Sequence, residues 1–131
     1  MPINPDILLN KELDEVEGSW SEERVILYNI AVGSSEDPLN KSDLEFTVGP
    51  NPKVIPSFAA CIYPMESVFS IIGSEGLEVS LTSLLHGEQK ITIHKDIPSS
   101  GKAITKAKIT AVEDYRKFGS VTIESDSYMD N

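Results

Sequence analysis

Cysteine is nearly absent: Cys61 stands alone in 131 residues, so no internal disulfide is available and the fold must hold by packing. A lone thiol in apolar surroundings also points to a small core residue rather than a nucleophile, because burial disfavours the thiolate, and it fits a reducing compartment. Basic residues are scarce. Eleven Lys and Arg face 21 Asp and Glu, a net charge of −10, which argues against nucleic acid as a partner. The two histidines, His86 and His94, lack metal-ligand spacing, so no metal site is expected. Long charge-free apolar runs are missing as well, so no membrane span is expected. The N-terminus, Met-Pro-Ile-Asn-Pro-Asp, has no basic patch ahead of an apolar block and reads as no secretory signal. A soluble, cytoplasmic chain of one domain is the expectation.

What is present is organised around Val54 to Gly73, the longest stretch of low charge, which carries only Glu66. Pro56 near its head and Gly73 at its tail suit the start and stop of a helix. Phe58, Ala59, Cys61, Ile62, Met65, Val68, Phe69 and Ile72 fall on several sides of a helical wheel, so this reads as one long buried helix. Strand-like segments follow it. Leu84–His94, Lys102–Val112 and Ser120–Tyr128 alternate apolar and polar residues, with turns at Pro98–Gly101 and Glu113–Gly119. The class is therefore α+β, an antiparallel sheet wrapped around one buried helix.

Upstream, residues 1–18 read as an N-terminal arm, in which Leu9, Leu13 and Val16 fall at helical spacing, and residues 19–131 as the domain. Ser21 can cap a helix that opens with Glu22 and Glu23 and closes at Gly33. Ser34 to Asp43 is a polar loop. Leu44–Val48 alternates like a strand, and Gly49-Pro50-Asn51-Pro52 breaks it.

Three blocks, Arg24-Val25-Ile26-Leu27-Tyr28-Asn29-Ile30-Ala31-Val32-Gly33, Val54-Ile55-Pro56-Ser57-Phe58 and Leu84-Leu85-His86-Gly87-Glu88-Gln89, in this order and at these intervals, resemble the N-terminal half of the type 2, R-specific enoyl-CoA hydratases. These belong to the MaoC-like dehydratase family and occur in peroxisomal multifunctional enzymes of fatty-acid oxidation. The resemblance covers roughly residues 20 to 128. It implies a hot-dog fold, in a double hot-dog enzyme whose second half alone carries a catalytic Asp and His in a Gly-Asp-x-Asn-Pro-Leu-His type motif. Carboxylate and imidazole would there hold and deprotonate the water that adds to a trans-2-enoyl thioester. The resemblance also implies a thioester oxygen held by backbone amides at the mouth of the buried helix. No cofactor is implied; a CoA thioester is the substrate, and the location would be peroxisomal in a eukaryote.

At the matching place this chain reads Val32-Gly33-Ser34-Ser35-Glu36-Asp37-Pro38-Leu39-Asn40, with Ser34 near the position of the Asp and Asn40 in place of the His. Asn cannot exchange a proton at neutral pH, and Glu36 and Asp37 read as loop and capping acids. No catalytic residue is carried over. The resemblance implies that the non-catalytic half accommodates the acyl chain, with Phe58, Ile62 and Met65 on the central helix and Leu85, His86, Gly87 and Glu88 nearby as candidate lining. His86 and Glu88 as an acid/base pair compete with a blander role in satisfying backbone groups. Arg116 and Lys117, on the last hairpin, are candidates to touch a CoA phosphate, against a plain role in solubility.

The expectation is thus the substrate-accommodating half of an enoyl-CoA hydratase or 3-hydroxyacyl-CoA dehydratase. It would lack the last strand of its sheet and be completed by a second hot-dog domain or chain. Two alternatives stand beside it: a self-contained homodimeric hot-dog thioesterase or dehydratase, and a non-enzymatic acyl-binding or assembly module.

Overall fold

The computed structural model describes residues 3–63 and 68–129. In chain order it contains α1 (Pro5–Leu8), β1 (Val16–Trp20), α2 (Glu22–Ala31), α3 (Lys41–Leu44), 3-10 helices at Pro56–Cys61 and Leu81–Ser83, β2 (Gly101–Asp114) and β3 (Gly119–Met129). The strands form one antiparallel sheet in the order β1-β2-β3. The architecture is α+β, as expected, and consistent with a hot-dog fold. Two compact units divide the chain: residues 1–16, 64–89 and 104–128 in the first, and 17–63, 90–103 and 129–131 in the second.

In the first unit the period of β2 is what the sequence alternation anticipates. Thr105, Ala107 and Ile109 are buried, whereas Lys106 and Lys108 face solvent. Ile109 packs with Leu8, Ile71 and Leu77, so the arm contributes to a core through Leu8. The helix near the N-terminus is α1, capped by Asn4, whose Oδ1 accepts from the Asp6 N–H at 3.1 Å. It lies ahead of the residues whose spacing suggested it. Leu13 instead bonds to β2, its N–H donating to the Ala107 carbonyl at 2.9 Å beside the antiparallel bridge Glu12–Lys108.

Gly76 makes this core possible. Its φ of +89° suits glycine, and an added Cβ would meet the Ile7 side chain at 2.9 Å and Leu8 at 3.2 Å. Gly76→Ala is expected to cost about 1–3 kcal/mol through strain and overpacking together. Urea unfolding checks this, and an unchanged midpoint would refute it.

The second unit is built on α2. Ser21 Oγ accepts from the Arg24 N–H at 3.4 Å, Glu22 and Glu23 occupy the first turn, and Gly33 leaves the helix at φ +78°. These ends are where local chemistry places them. Val25 and Asn29, one turn apart, are the buried residues of the helix, and Trp20, Val25, Phe58, Ile62 and Ala103 form the core.

Three sequence expectations are corrected. The run Val54–Gly73 does not form one long helix in the described residues. Its first part is the 3-10 helix Pro56–Cys61, with bonds such as Phe58 N–H to Ile55 O at 2.9 Å, and its last part is helical at Val68 and Phe69 and then turns up to Gly73, φ +79°. Pro64, the candidate for a kink in that helix, lies outside the described residues. Leu44–Val48 is not a strand: Asn40 caps α3, and the N–H groups of Phe46, Thr47 and Val48 return to Asp43 and Leu44 carbonyls at 2.9–3.1 Å. Those donors are therefore used locally. Leu84–His94 has strand alternation but no ladder among the described residues, and Leu85, Ile91 and Ile93 are all exposed. Alternation prepares a face for burial; only a neighbouring strand makes it one.

Candidate functional site

Two of the sequence blocks that carry the resemblance meet in the second unit. The Tyr28 hydroxyl of α2 donates to Ser57 Oγ at 2.8 Å, and its ring stands edge-on to Phe58, centroids 5.4 Å apart at 75°. Arg24 Nη2 donates to the Cys61 carbonyl at 2.9 Å, at the far end of the 3-10 helix. One face of α2 thus holds both ends of that helix. Trp20 closes the cluster, 6.4 Å from Phe58 at 65°, with its Nε1 donating to the Pro98 carbonyl at 2.8 Å.

A second set of bonds from α2 shapes the loop before the 3-10 helix. Asn29 is fully buried, and its Nδ2 donates to the Phe46 carbonyl at 2.7 Å and the Lys53 carbonyl at 2.8 Å. These two acceptors decide the orientation of the amide, because the reversed one would set Oδ1 against two carbonyl oxygens. The loop between them is closed at its neck by Lys53 N–H to Glu45 O at 2.8 Å and by an ion pair of the same two side chains. Near its tip the Asn51 N–H donates to Glu22 Oε1 at 2.8 Å, an oxygen that also accepts from Ser99 Oγ at 3.1 Å. Helix α2 grips the loop at two points.

The gripped loop forms a wall of a pocket of about 420 Å³, lined by Phe46, Pro52, Lys53, Val54, Pro56, Ile93, Asp96 and Ile97. Its volume falls in the range of small-molecule sites, roughly 300–1,000 Å³. Six apolar residues and two opposite charges make this wall one suited to an apolar group. Sequence reasoning passed over Phe46, Lys53, Ile93, Asp96 and Ile97. The one available signal was the Gly49-Pro50-Asn51-Pro52 run, which folds here into the turn that brings Phe46 back beside Lys53, with Gly49 at φ +85° and Asn51 at φ +57°.

The residues expected to line an acyl site are placed as follows. Phe58 and Ile62 come together in the core of the second unit, 0% and 7% exposed. Met65 lies outside the described residues, as does Glu66. Leu85, His86, Gly87 and Glu88 belong to the first unit and are exposed. The His86 imidazole engages the backbone carbonyl of Glu88, Nε2 to O 3.1 Å, rather than its carboxylate.

At the place of the catalytic motif, Asn40 Oδ1 accepts from the Ser42 N–H at 3.0 Å as the cap of α3. Asp37 Oδ1 accepts from the Leu39 N–H at 2.9 Å, and Ser34 Oγ is buried without a hydrogen-bond partner among the described residues. Asn40 and Asp37 are thus occupied with turn chemistry. Among the described residues no cluster of three or more His, Cys, Asp or Glu is placed to hold a metal ion, and no helix is long and apolar enough to cross a membrane.

Comparison with known proteins gives consistent results. A family model described as the MFE-2 hydratase 2 N-terminal domain matches residues 19–131. The chain is 28% identical over 127 residues to the enoyl-CoA hydratase ChsH3 of Mycobacterium tuberculosis, an alignment covering 95% of this chain and 44% of that protein. It is 28% identical over 130 residues to the peroxisomal enoyl-CoA hydratase 2 of Arabidopsis thaliana, covering 95% and 42%. It is also 27% identical over 99 residues to the 3-hydroxyacyl-thioester dehydratase Y of Mycobacterium tuberculosis, covering 72% and 31%. The chain spans less than half the length of each of these relatives.

Proposed function

Because the chain belongs to the MFE-2 hydratase 2 N-terminal domain family, we propose that it is the substrate-accommodating half of an enoyl-CoA hydratase or 3-hydroxyacyl-thioester dehydratase. The observation that carries the reading is the extent of the match: 95% of this chain aligns with less than half of an enoyl-CoA hydratase. The acid/base pair that adds water across the trans-2 double bond comes, on this reading, from a second hot-dog domain or chain. The capping role of Asn40 supports it, since a side-chain amide engaged in a helix cap neither takes nor gives a proton. The aromatic packing of α2 against the 3-10 helix and the pocket beside it supply the rigid, apolar setting that an acyl group requires.

The test is hydration of a trans-2-enoyl-CoA, followed as loss of the enoyl absorbance, by the purified chain alone and after addition of the C-terminal half of a family member. Turnover is expected only after addition. Turnover by the chain alone would refute the division of labour and turn attention to Glu36, Asp37, His86 and Glu88.

A further inference from the structure

The turn between β2 and β3 presents the sequence Tyr115-Arg116-Lys117-Phe118, which no part of the mechanism above uses. The turn is well built. Tyr115 N–H donates to the Phe118 carbonyl at 2.9 Å, Lys117 N–H to the Tyr115 carbonyl at 2.8 Å, and Arg116 takes φ +67°. Tyr115 and Phe118 stack on each other, centroids 4.9 Å apart at 30°, yet remain 49% and 66% exposed. Packing within the chain does not require that exposure, and a paired aromatic surface is suited to contact with another planar group.

The charges around the stack point to the kind of group. Both neighbouring carboxylates are engaged in the turn itself: Glu113 Oε2 accepts from the Tyr115 hydroxyl at 2.6 Å and from Ser120 Oγ at 3.0 Å, and Asp114 Oδ1 accepts from the Arg116 N–H at 2.7 Å. The bond from Tyr115, with that from Ser120, holds the Glu113 carboxyl below its ordinary range, and Glu113 lifts the Tyr115 phenol above its own. Tyr115 is thereby anchored by its hydroxyl with a ring face left open. Among the described residues Arg116 and Lys117 make no ion pair, so both charges are available to a ligand. In a chain of net charge −10, they are the one adjacent pair of Lys or Arg in the sequence, and they stand beside an exposed aromatic stack.

We infer that this hairpin tip binds the adenine nucleotide end of the CoA thioester, the purine lying on the Tyr115–Phe118 stack and the phosphates meeting Arg116 and Lys117. The identity of the ligand rests on the hydratase reading; the aromatic and cationic character of the site does not. Guanidinium and ammonium groups neutralise phosphate oxygens, and an aromatic face accepts any purine without reading its edge.

Isothermal titration of the chain with free CoA, 3′-dephospho-CoA and pantetheine tests it. CoA is expected to bind more tightly than either analogue. The double variant Arg116→Glu/Lys117→Glu is expected to weaken CoA roughly tenfold or more by charge reversal, leaving pantetheine unchanged. Phe118→Ser should weaken CoA roughly several-fold through lost stacking. Both substitutions are at exposed positions, and thermal unfolding of each variant confirms that it is folded. Equal affinity for CoA and pantetheine, or undiminished CoA binding by the double variant, overturns the inference. So does binding to anionic phospholipid vesicles, lost in the double variant, without binding of CoA. Failure of the hydratase reading is separable: CoA binding that depends on the hairpin, with no hydration even after the catalytic half is added, would retain the nucleotide site and remove the reaction.

Discussion

Phe58→Ala is expected to lower the stability of the chain by about 3–5 kcal/mol, the usual cost of removing a buried aromatic side chain. Phe58 is fully buried and stands at the centre of the second unit's core. Its ring is the common neighbour of Trp20 and Tyr28, both edge-on, so the substitution removes two aromatic contacts as well as apolar area. Collapse around the cavity is restrained. Trp20 is held by its bond to the Pro98 carbonyl, and Tyr28 by its bond to Ser57, so neither ring can move in without breaking a hydrogen bond. Native domains are stable by only about 5–15 kcal/mol, so the loss is a large fraction of the total. Urea unfolding followed by Trp20 fluorescence should show a midpoint shifted strongly downward. A loss below about 1 kcal/mol would mean that the aromatic cluster is not a core.

Asn29→Asp has an expected effect of similar size and a distinctive pH dependence. The substitution is nearly isosteric but replaces the Nδ2 donor with an oxygen facing the carbonyls of Phe46 and Lys53 at 2.7 and 2.8 Å. An ionised carboxylate at this fully buried position has no compensating cation, and a cost of about 3–5 kcal/mol at neutral pH follows. Protonation relieves part of it, since the neutral acid donates one bond to either carbonyl. Burial and the facing dipoles raise the carboxyl pKa of the folded variant above its unfolded value of about 3.9. The sign follows by linkage: the variant is closest to the native chain below the unfolded pKa, and its deficit grows as pH rises towards the raised folded pKa. Chemical unfolding of both proteins between pH 4 and pH 7 should show the gap widening with pH. A gap that is constant or narrows over this interval would show that Asn29 does not clamp the loop. Because Phe46 and Lys53 also line the pocket, loss of the clamp would reshape that wall.

Some of this structure was legible residue by residue. Helix α2 was bounded correctly because its ends depend on bonds to near neighbours: Ser21 to the N–H three residues on, and the turn at Gly33. The hairpin of β2 and β3 was legible because a long period-two pattern interrupted by a polar turn has few other solutions. The resemblance was legible because it rested on three ordered blocks, and the family match over residues 19–131 bears it out. Leu44–Val48 and Leu84–His94 had the same alternation over shorter lengths, and the pattern was misleading. One was drawn into helical turns by the Asn40 cap, and the other has no ladder partner among the described residues.

The sequence by itself determined the class of the fold, the helix that organises the second unit, the long hairpin, and membership in a hydratase family, because each rests on patterns carried within a few residues or in ordered blocks. Tertiary structure alone decided that Leu8 belongs to a core and that Tyr28 meets Phe58. It alone decided that Asn29 ties down a loop 17 and 24 residues away and that Trp20 donates to a carbonyl 78 residues on. Those outcomes depend on which distant groups arrive at hydrogen-bonding or van der Waals distance. A buried polar group must find its partner wherever the fold brings one, and local propensity carries no information about that meeting.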